Sequence, residues 1–416
     1  MDFSVIQLST NDLPDTLRKF MPGTSEVQEF MGEEAPEPEQ GELFIGQSDS
    51  LLIVVDSLMT AQKIMNRLTG GSLPPLTEEN QFNQDQARLF RKANGYGWVN
   101  AQALMEIFQR NLEAQEQNRE ENAPDPMAQI KPAKVITATG LGGLHSAAFA
   151  YTETPGGSEI TLFLGVPESE RTGIFKVLTG EPKDTLPPSF VPADTVQFQR
   201  WRLDGQKAYA ALEQMLQEIS PQMLSGWNFM VNTANQAVQQ QDPSFDLRRQ
   251  LMGNIGDDLI TYKKAPRSSS FEDLATQPTL FLMGAQNGEQ FIASLKTVMG
   301  MFLQGTPPPT REFLGTTIHT IELPAGALSM NPGAGSSEVQ VAANRGYVAF
   351  SIDDAILEEF LRSADDPVNP LRQVAGLAES TEAVSGPGTS LLSFEDQKER
   401  MRLQFDLLRQ LSTNAM

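Results

Sequence analysis

Apolar positions in this chain switch between two periods, and the switching itself recurs. Stretches of alternating apolar and polar residues predict strands, and stretches with apolar residues every three or four positions predict helices. Their order returns when the sequence is displaced by 296 positions without a gap. Leu52-Ile53-Val54-Val55 then falls on Val348-Ala349-Phe350-Ser351, Pro74 on Pro370 and Asn100 on Asp396. Apolar period, breaker and polar position rarely coincide by chance, so the register from Leu52 to Asn100 predicts two copies of one structural unit.

Three kinds of module carry the pattern. The first is a strand pair followed by a helix: Glu42–Ile45 and Leu51–Val55 lead into Leu58–Leu68, and Val339–Val341 and Tyr347–Ile352 lead into Ile356–Arg362. Ile356, Leu357, Phe360 and Leu361 share one helical stripe, while Asp353 and Asp354 stand where carboxylates suit the unpaired N–H groups of a helix start. The second module is a strand, then Asn or Asp, then a helix. It runs through Asn100 before Ala103–Phe108, Asp204 before Tyr209–Ile219, and Asp396 before Met401–Leu411. A slot that accepts Asn as readily as Asp is an N-cap slot, because a catalytic carboxylate does not tolerate the amide. The third module pairs a turn with an apolar hairpin and a helix. Gly140-Leu141-Gly142-Gly143-Leu144 and Asn254-Ile255-Gly256-Asp257-Asp258-Leu259 each precede a strand, then the tetrapeptide Thr-Leu-Phe-Leu at Thr161–Leu164 and at Thr279–Leu282. Phe291, Leu295, Val298, Met299 and Phe302 give the second of the following helices an apolar face, with Met283, Met299 and Met301 as gap-fillers.

Breakers mark the surface. Glu33–Glu39 and Glu121–Pro126 are acidic and contain proline, as solvated loops do, and Thr306–Pro309 and Ala325–Ser337 read as long hairpin connections. Pro182, Pro187, Pro188 and Pro192 make Gly180–Pro192 the expected boundary between a first half, residues 1–180, and a second half, residues 181–416.

Composition removes more chemistry than it suggests. With 53 acidic against 31 basic residues the net charge is −22, which repels nucleic acid and anionic membrane surfaces. The chain has no cysteine, so disulfides, thiolate nucleophiles and cysteine-ligated metals are out of reach. No stretch approaches the roughly 18 apolar residues of a membrane span, and the start, Met1–Ile6, has no signal-peptide pattern. Two histidines, His145 and His319, cannot build a His-rich zinc site, and His319 reads as a packed strand residue sharing a face with Ile321 and Leu323. Gly-x-Ser-x-Gly and Walker signatures are missing from the sequence. Gly140–His145 mimics a dinucleotide fingerprint, yet a histidine replaces its third glycine, so it reads as a turn. Asp257-Asp258, Asp353-Asp354 and Asp365-Asp366 lack an EF-hand loop and read as solvated surface carboxylates.

The segment Pro192-Ala193-Asp194-Thr195 at a strand start, the Gly-Leu-Gly-Gly-Leu turn, and Pro74-Pro75-Leu76-Thr77-Glu78-Glu79-Asn80-Gln81-Phe82 resemble a functionally uncharacterised bacterial repeat family with proline-alanine-aspartate-threonine strand starts. The resemblance covers most of the chain from about Gly41. It implies an α+β repeat fold in proteins commonly exported or anchored to the cell envelope, hence an extracytoplasmic location, and it carries over no catalytic residue. Against that pattern the first half begins midway through a repeat and shows no export signal.

The expected architecture is α+β: two related halves, each an antiparallel sheet covered on one face by amphipathic helices. The expected function is non-enzymatic binding, of a protein partner or of an apolar small molecule such as a lipid held between sheet and helices. A carboxylate-based hydrolase is the alternative, because two distant acids can meet without a local motif. The reading names no catalytic, cofactor-binding or metal-ligating residue, no cofactor, and no oligomeric state.

Overall fold

Strands form at the segments that the sequence marks as strands, and also at residues 3–8 and 310–313. A computed structural model describes residues 3–8, 41–48, 51–55, 57–72, 74–116, 130–154, 157–180, 182–240, 242–268, 277–302, 309–323, 337–363, 369–385 and 388–414. The expected loops at Glu33–Glu39 and Glu121–Pro126, the Asp365-Asp366 pair, and most of Thr306–Pro309 and Ala325–Ser337 lie outside the described residues. The chain divides into two compact units, residues 1–84 and 85–416. The boundary expected at 180/181 falls inside the second unit.

In the first unit, β1 (Phe3–Leu8), β2 (Gly41–Ser48) and β3 (Leu51–Val55) form an antiparallel sheet in that order. α1 (Leu58–Leu68) follows and buries Ala61. α2 (Asn80–Leu89) contains the boundary between the units.

The second unit opens with β4 (Gly95–Asn100), α3 (Ala101–Glu116), α4 (Pro132–Thr139), β5 (Ser146–Thr154), β6 (Gly157–Gly165) and α5 (Gly173–Leu178). β4, β5 and β6 make a second antiparallel three-stranded sheet. Ala148 and Ala150 are buried on one of its faces, while the pairing places Val99, Ala147 and Leu164 in one row, and Gly97, Phe149 and Leu162 in the next, on the other. Val99, Phe149, Ile160, Leu162 and Leu164 are all exposed, so this face is apolar and bare among the described residues.

Then come β7 (Thr195–Trp201), α6 (Gly205–Ile219), α7 (Pro221–Gln239), α8 (Leu247–Gln250), β8 (Ile255–Lys264), β9 (Thr279–Ala285), α9 (Gly288–Phe302), β10 (Thr310–Phe313), β11 (Thr316–Leu323), β12 (Ser337–Asn344), β13 (Tyr347–Ser351), α10 (Asp354–Arg362), α11 (Leu377–Ser385), β14 (Leu391–Glu395) and α12 (Gln397–Asn414). Their strands form one antiparallel eight-stranded sheet, ordered β10-β11-β12-β13-β9-β8-β7-β14. Two-residue turns at Leu314-Gly315 and Arg345-Gly346 have positive φ at both positions, the geometry whose twist matches flanking antiparallel strands.

Helices cover both faces of this sheet, which corrects the one-face expectation. On one face Phe198, Ile260, Tyr262, Leu280, Leu282 and Ala349 pack under Ile356, Leu357, Phe360 and Leu361 of α10. On the other, Met283, Val341 and Val348 pack under Phe291 and Ile292 of α9. The reason lies in the central strands: Leu280-Phe281-Leu282-Met283 in β9 and Val348-Ala349-Phe350 in β13 are continuous apolar runs, which need shelter on both sides rather than one.

The N-caps sit where the second module places them. Asn100 Oδ1 accepts the Ala103 N–H at 2.9 Å, Asp204 Oδ1 accepts those of Gln206 and Lys207 at 3.0 Å, and Asp396 Oδ1 accepts that of Glu399 at 3.1 Å. Asp353 caps α10 through the Ile356 N–H at 3.1 Å.

The proline-rich segment before β7 is a packed strap. Phe190 and Val191 are buried in the α10-side core, and Phe190 meets the rings of Tyr347 and Phe360 edge-on. Pro192 bridges to Pro370, the Ala193 N–H donates to Asn369 O at 3.0 Å, and Asp194 accepts from Lys264 Nζ, which also holds Glu359 of α10. The Pro-Ala-Asp-Thr run is thus a strand-start clamp that ties the sheet to its covering helix.

Element bounds keep the 296-residue displacement. β2 maps onto β12 and β3 onto β13 end to end, α1 and α10 share a start, α2 and α11 share an end, β4 and β14 share a start, and so do α3 and α12.

Candidate functional site

Three places on the second unit bring polar or apolar side chains together away from simple packing. The first is an apolar groove between α9 and the sheet. β11, β12, β13 and β9 are paired so that His319, Val341, Phe350 and Phe281 form one row, and Ile321 and Val339 stand in the next. α9 begins over Val348 and Met283, where Phe291 and Ile292 fill the space. Its second half offers only Leu295 and Met299, and beneath them a groove of about 500 Å³ remains open. Thr279, Phe281, Leu295, Met299, Ile321, Val339, Val341, Phe350, Ser351 and Ile352 line it. Ligand pockets run from about 300 to 1,000 Å³, whereas packed interiors leave few voids larger than a water molecule. Ile352 and the ring of Phe281, which tilts against Phe350 at 5.9 Å, are partly open to solvent.

Beside this groove stands a basic pair. His319 is buried on the strand carrying Ile321, directly opposite Val341, and its Nδ1 lies 3.3 Å from Lys296 Nζ on α9. Burial first, and the Lys296 ammonium second, hold His319 below the ordinary imidazole value of 6.5. The sequence reading of His319 as a packed strand residue matches this position. Above pH 6.5 the imidazole is neutral both folded and unfolded; as the pH falls below that value the unfolded chain takes up the proton and the folded chain does not. The folded state is therefore expected to lose stability on acidification through this window. An NMR titration of the His319 ring should give a midpoint below 6.5; a midpoint at or above that value would contradict the packing.

The second place is a charge network at the edge of the other face. Arg200 and Asp258 are both buried, with Nε to Oδ1 at 2.9 Å and Nη2 to Oδ2 at 2.7 Å, and Arg200 Nη1 donates to Leu186 O at 2.6 Å. The Tyr347 hydroxyl donates to Asp258 Oδ2 at 2.7 Å, and burial, then that contact, push its ionisation upward. Arg202 lies 3.3 Å from Asp257, which Lys183 also binds, and Lys183 holds the Asp257 carboxyl below its usual range. Asp258 is thus no solvated surface acid: it joins β7, β8, β13 and the strap. Every member is engaged by an opposite charge or a donor, which suits a clamp and leaves no acid poised to give up a proton.

The third is a polar hollow of about 500 Å³ beside α12, lined by Gln197, Gln277, Glu395, Asp396 and Arg400 among others. Its two acids are committed. Asp396 caps α12, and the Gln197 amide, then Arg400, hold Glu395 below the ordinary carboxylate range. A hydrolase acid would need its ionisation raised instead. Among the described residues no group of three or more His, Asp or Glu side chains could hold a metal ion.

His145, after the Gly-Leu-Gly-Gly-Leu turn, is 3.1 Å from Glu170 and lines neither the groove nor the hollow. The sequence reading allowed for an apolar ligand between sheet and helices but named neither these residues as its site nor Lys296. Among the described residues, no helix is long and apolar enough to cross a membrane. No protein family, curated protein or solved structure matches the chain.

Proposed function

We propose that this chain is a non-enzymatic binding protein whose ligand is an apolar small molecule seated in the groove beneath α9. The observation that carries this reading is the groove itself: about 500 Å³ of open space on an otherwise packed sheet face, with eight of its ten lining residues apolar. Apolar surface left open to water is costly, and a ligand that covers it regains that free energy. The test is native mass spectrometry of the full chain purified gently from a bacterial host. Excess mass that leaves on denaturation is expected for the wild type and should be absent from Val339→Trp, which fills the groove. A bare chain mass in both, with no ligand taken up from added lipid, would end the reading.

A second reading, docking of a protein partner, rests on Met401, Phe405 and Leu408, which are exposed at helical spacing on α12. The coincidence of element bounds supports treating 41–116 and 337–414 as copies of one repeated unit. The resemblance to exported repeat proteins supports placing the activity at the cell envelope.

A further inference from the structure

Lys296 flanks the apolar groove, and its charge is uncompensated among the described residues. Lys296 follows Leu295 and precedes Met299 by three positions on α9, so it lies along the flank of the groove, against His319 and hence beside Ile321 and Val341. It is only partly exposed, and its ammonium meets no carboxylate within ion-pair reach among the described residues. That is unexpected in a chain with 53 acidic residues and net charge −22. Three other half-buried cations on the same sheet are paired, Lys264 with Asp194 and Glu359, Arg200 with Asp258, Arg311 with Glu358; Lys263, opposite Thr279, is a second cation with no ion pair among the described residues. His319, neutral at pH 7 in this setting, can accept one N–H from Lys296 at Nδ1, which leaves the ammonium two further donors and one full positive charge. A partly desolvated ammonium beside an apolar wall is stabilised by an anion that brings its own apolar body.

Resting on the groove reading, we propose that the ligand is a free fatty acid, its carboxylate on Lys296 and its alkyl chain along Ile321, Val341, Phe350 and Met299. A cation beside an imidazole matches an anionic head group, and the apolar lining matches an alkyl chain.

The experiment is isothermal titration of the full chain with dodecanoate and with dodecanol, an equally long neutral chain. Wild type is expected to bind dodecanoate at least about tenfold more tightly than dodecanol, the scale of one charge-assisted hydrogen bond. Lys296→Met should erase that preference while retaining dodecanol binding, and Lys296→Arg should keep it, which separates lost charge from lost folding. Val339→Trp should lose both ligands. Equal binding of acid and alcohol by wild type overturns the carboxylate assignment and leaves the groove reading standing. A preference that survives in Lys296→Met overturns the role of Lys296. Binding of neither overturns both the proposal and the groove reading.

Discussion

Replacing Asp258 by Ala is expected to cost about 3–5 kcal/mol of folding stability, because it strips a buried guanidinium of its only bidentate partner. Arg200 and Asp258 are fully committed to one another and are sealed by the Tyr347 hydroxyl and the carbonyl of Leu186. Removing one charge leaves the other in a place where water cannot replace it. The double change Arg200→Met with Asp258→Leu should instead fall within about 1 kcal/mol of wild type, since a buried pair and a well-packed apolar pair are close in free energy. Chemical denaturation of the single and double variants reads this directly. Equal losses in both would mean that the residues matter for shape and not for charge.

The second large effect is expected at Gly140 and Gly173. Here the end of α4 and the start of α5 touch backbone to backbone. Gly140 has φ +83°, and a Cβ there would come within 2.2 Å of the Thr172 carbonyl oxygen; Gly173 has φ +53°, and its Cβ would lie 2.4 Å from the carbonyl oxygen of Ala138. Positive φ costs an L-residue about 1–2 kcal/mol, and overpacking typically adds 1–3 kcal/mol. Ala at either position should therefore cost about 3 kcal/mol in total. Gly142, in the same run, has nothing within 4 Å of its would-be Cβ, so Gly142→Ala is the control and should stay within about 0.5 kcal/mol. Because α4 and α5 pack on α6, hydrogen exchange should show the loss first in those three helices. A uniform loss across all three glycine variants would refute the close-approach account.

Local chemistry in this chain was open to reading, and long-range chemistry was not. Asn100, Asp204 and Asp396 announce themselves because a cap needs only its own strand end and the next three N–H groups. The α10 stripe is likewise local, four residues within two turns. Coverage of both sheet faces was also written in the sequence, as the unbroken apolar runs of β9 and β13, but a run of that kind does not distinguish a doubly buried strand from a hairpin partner. The clamp left a fainter trace. Arg200 occupies the inward phase of Val196-x-Phe198-x-Arg200, and Asp258 that of Asp258-x-Ile260-x-Tyr262. Opposite charges at the apolar phase of two strands signal a buried pair only once the strands are known to be neighbours. The groove draws on α9 and four strands, and its basic flank joins residues 23 positions apart. No period or spacing encodes such a meeting.

The β4–β6 face, bare among the described residues, is expected to make self-association of this protein depend on salt. At low ionic strength, net charge −22 keeps molecules apart farther than the apolar face can reach. In about 1 M salt the screening length shrinks to roughly 3 Å, about the size of a water molecule, and that repulsion vanishes at contact. Val99, Phe149, Ile160, Leu162 and Leu164 are then free to adhere, and strongly salting anions such as sulfate strengthen the adhesion. The surplus of acid thus acts as the colloidal guard of a sheet face that is bare among the described residues.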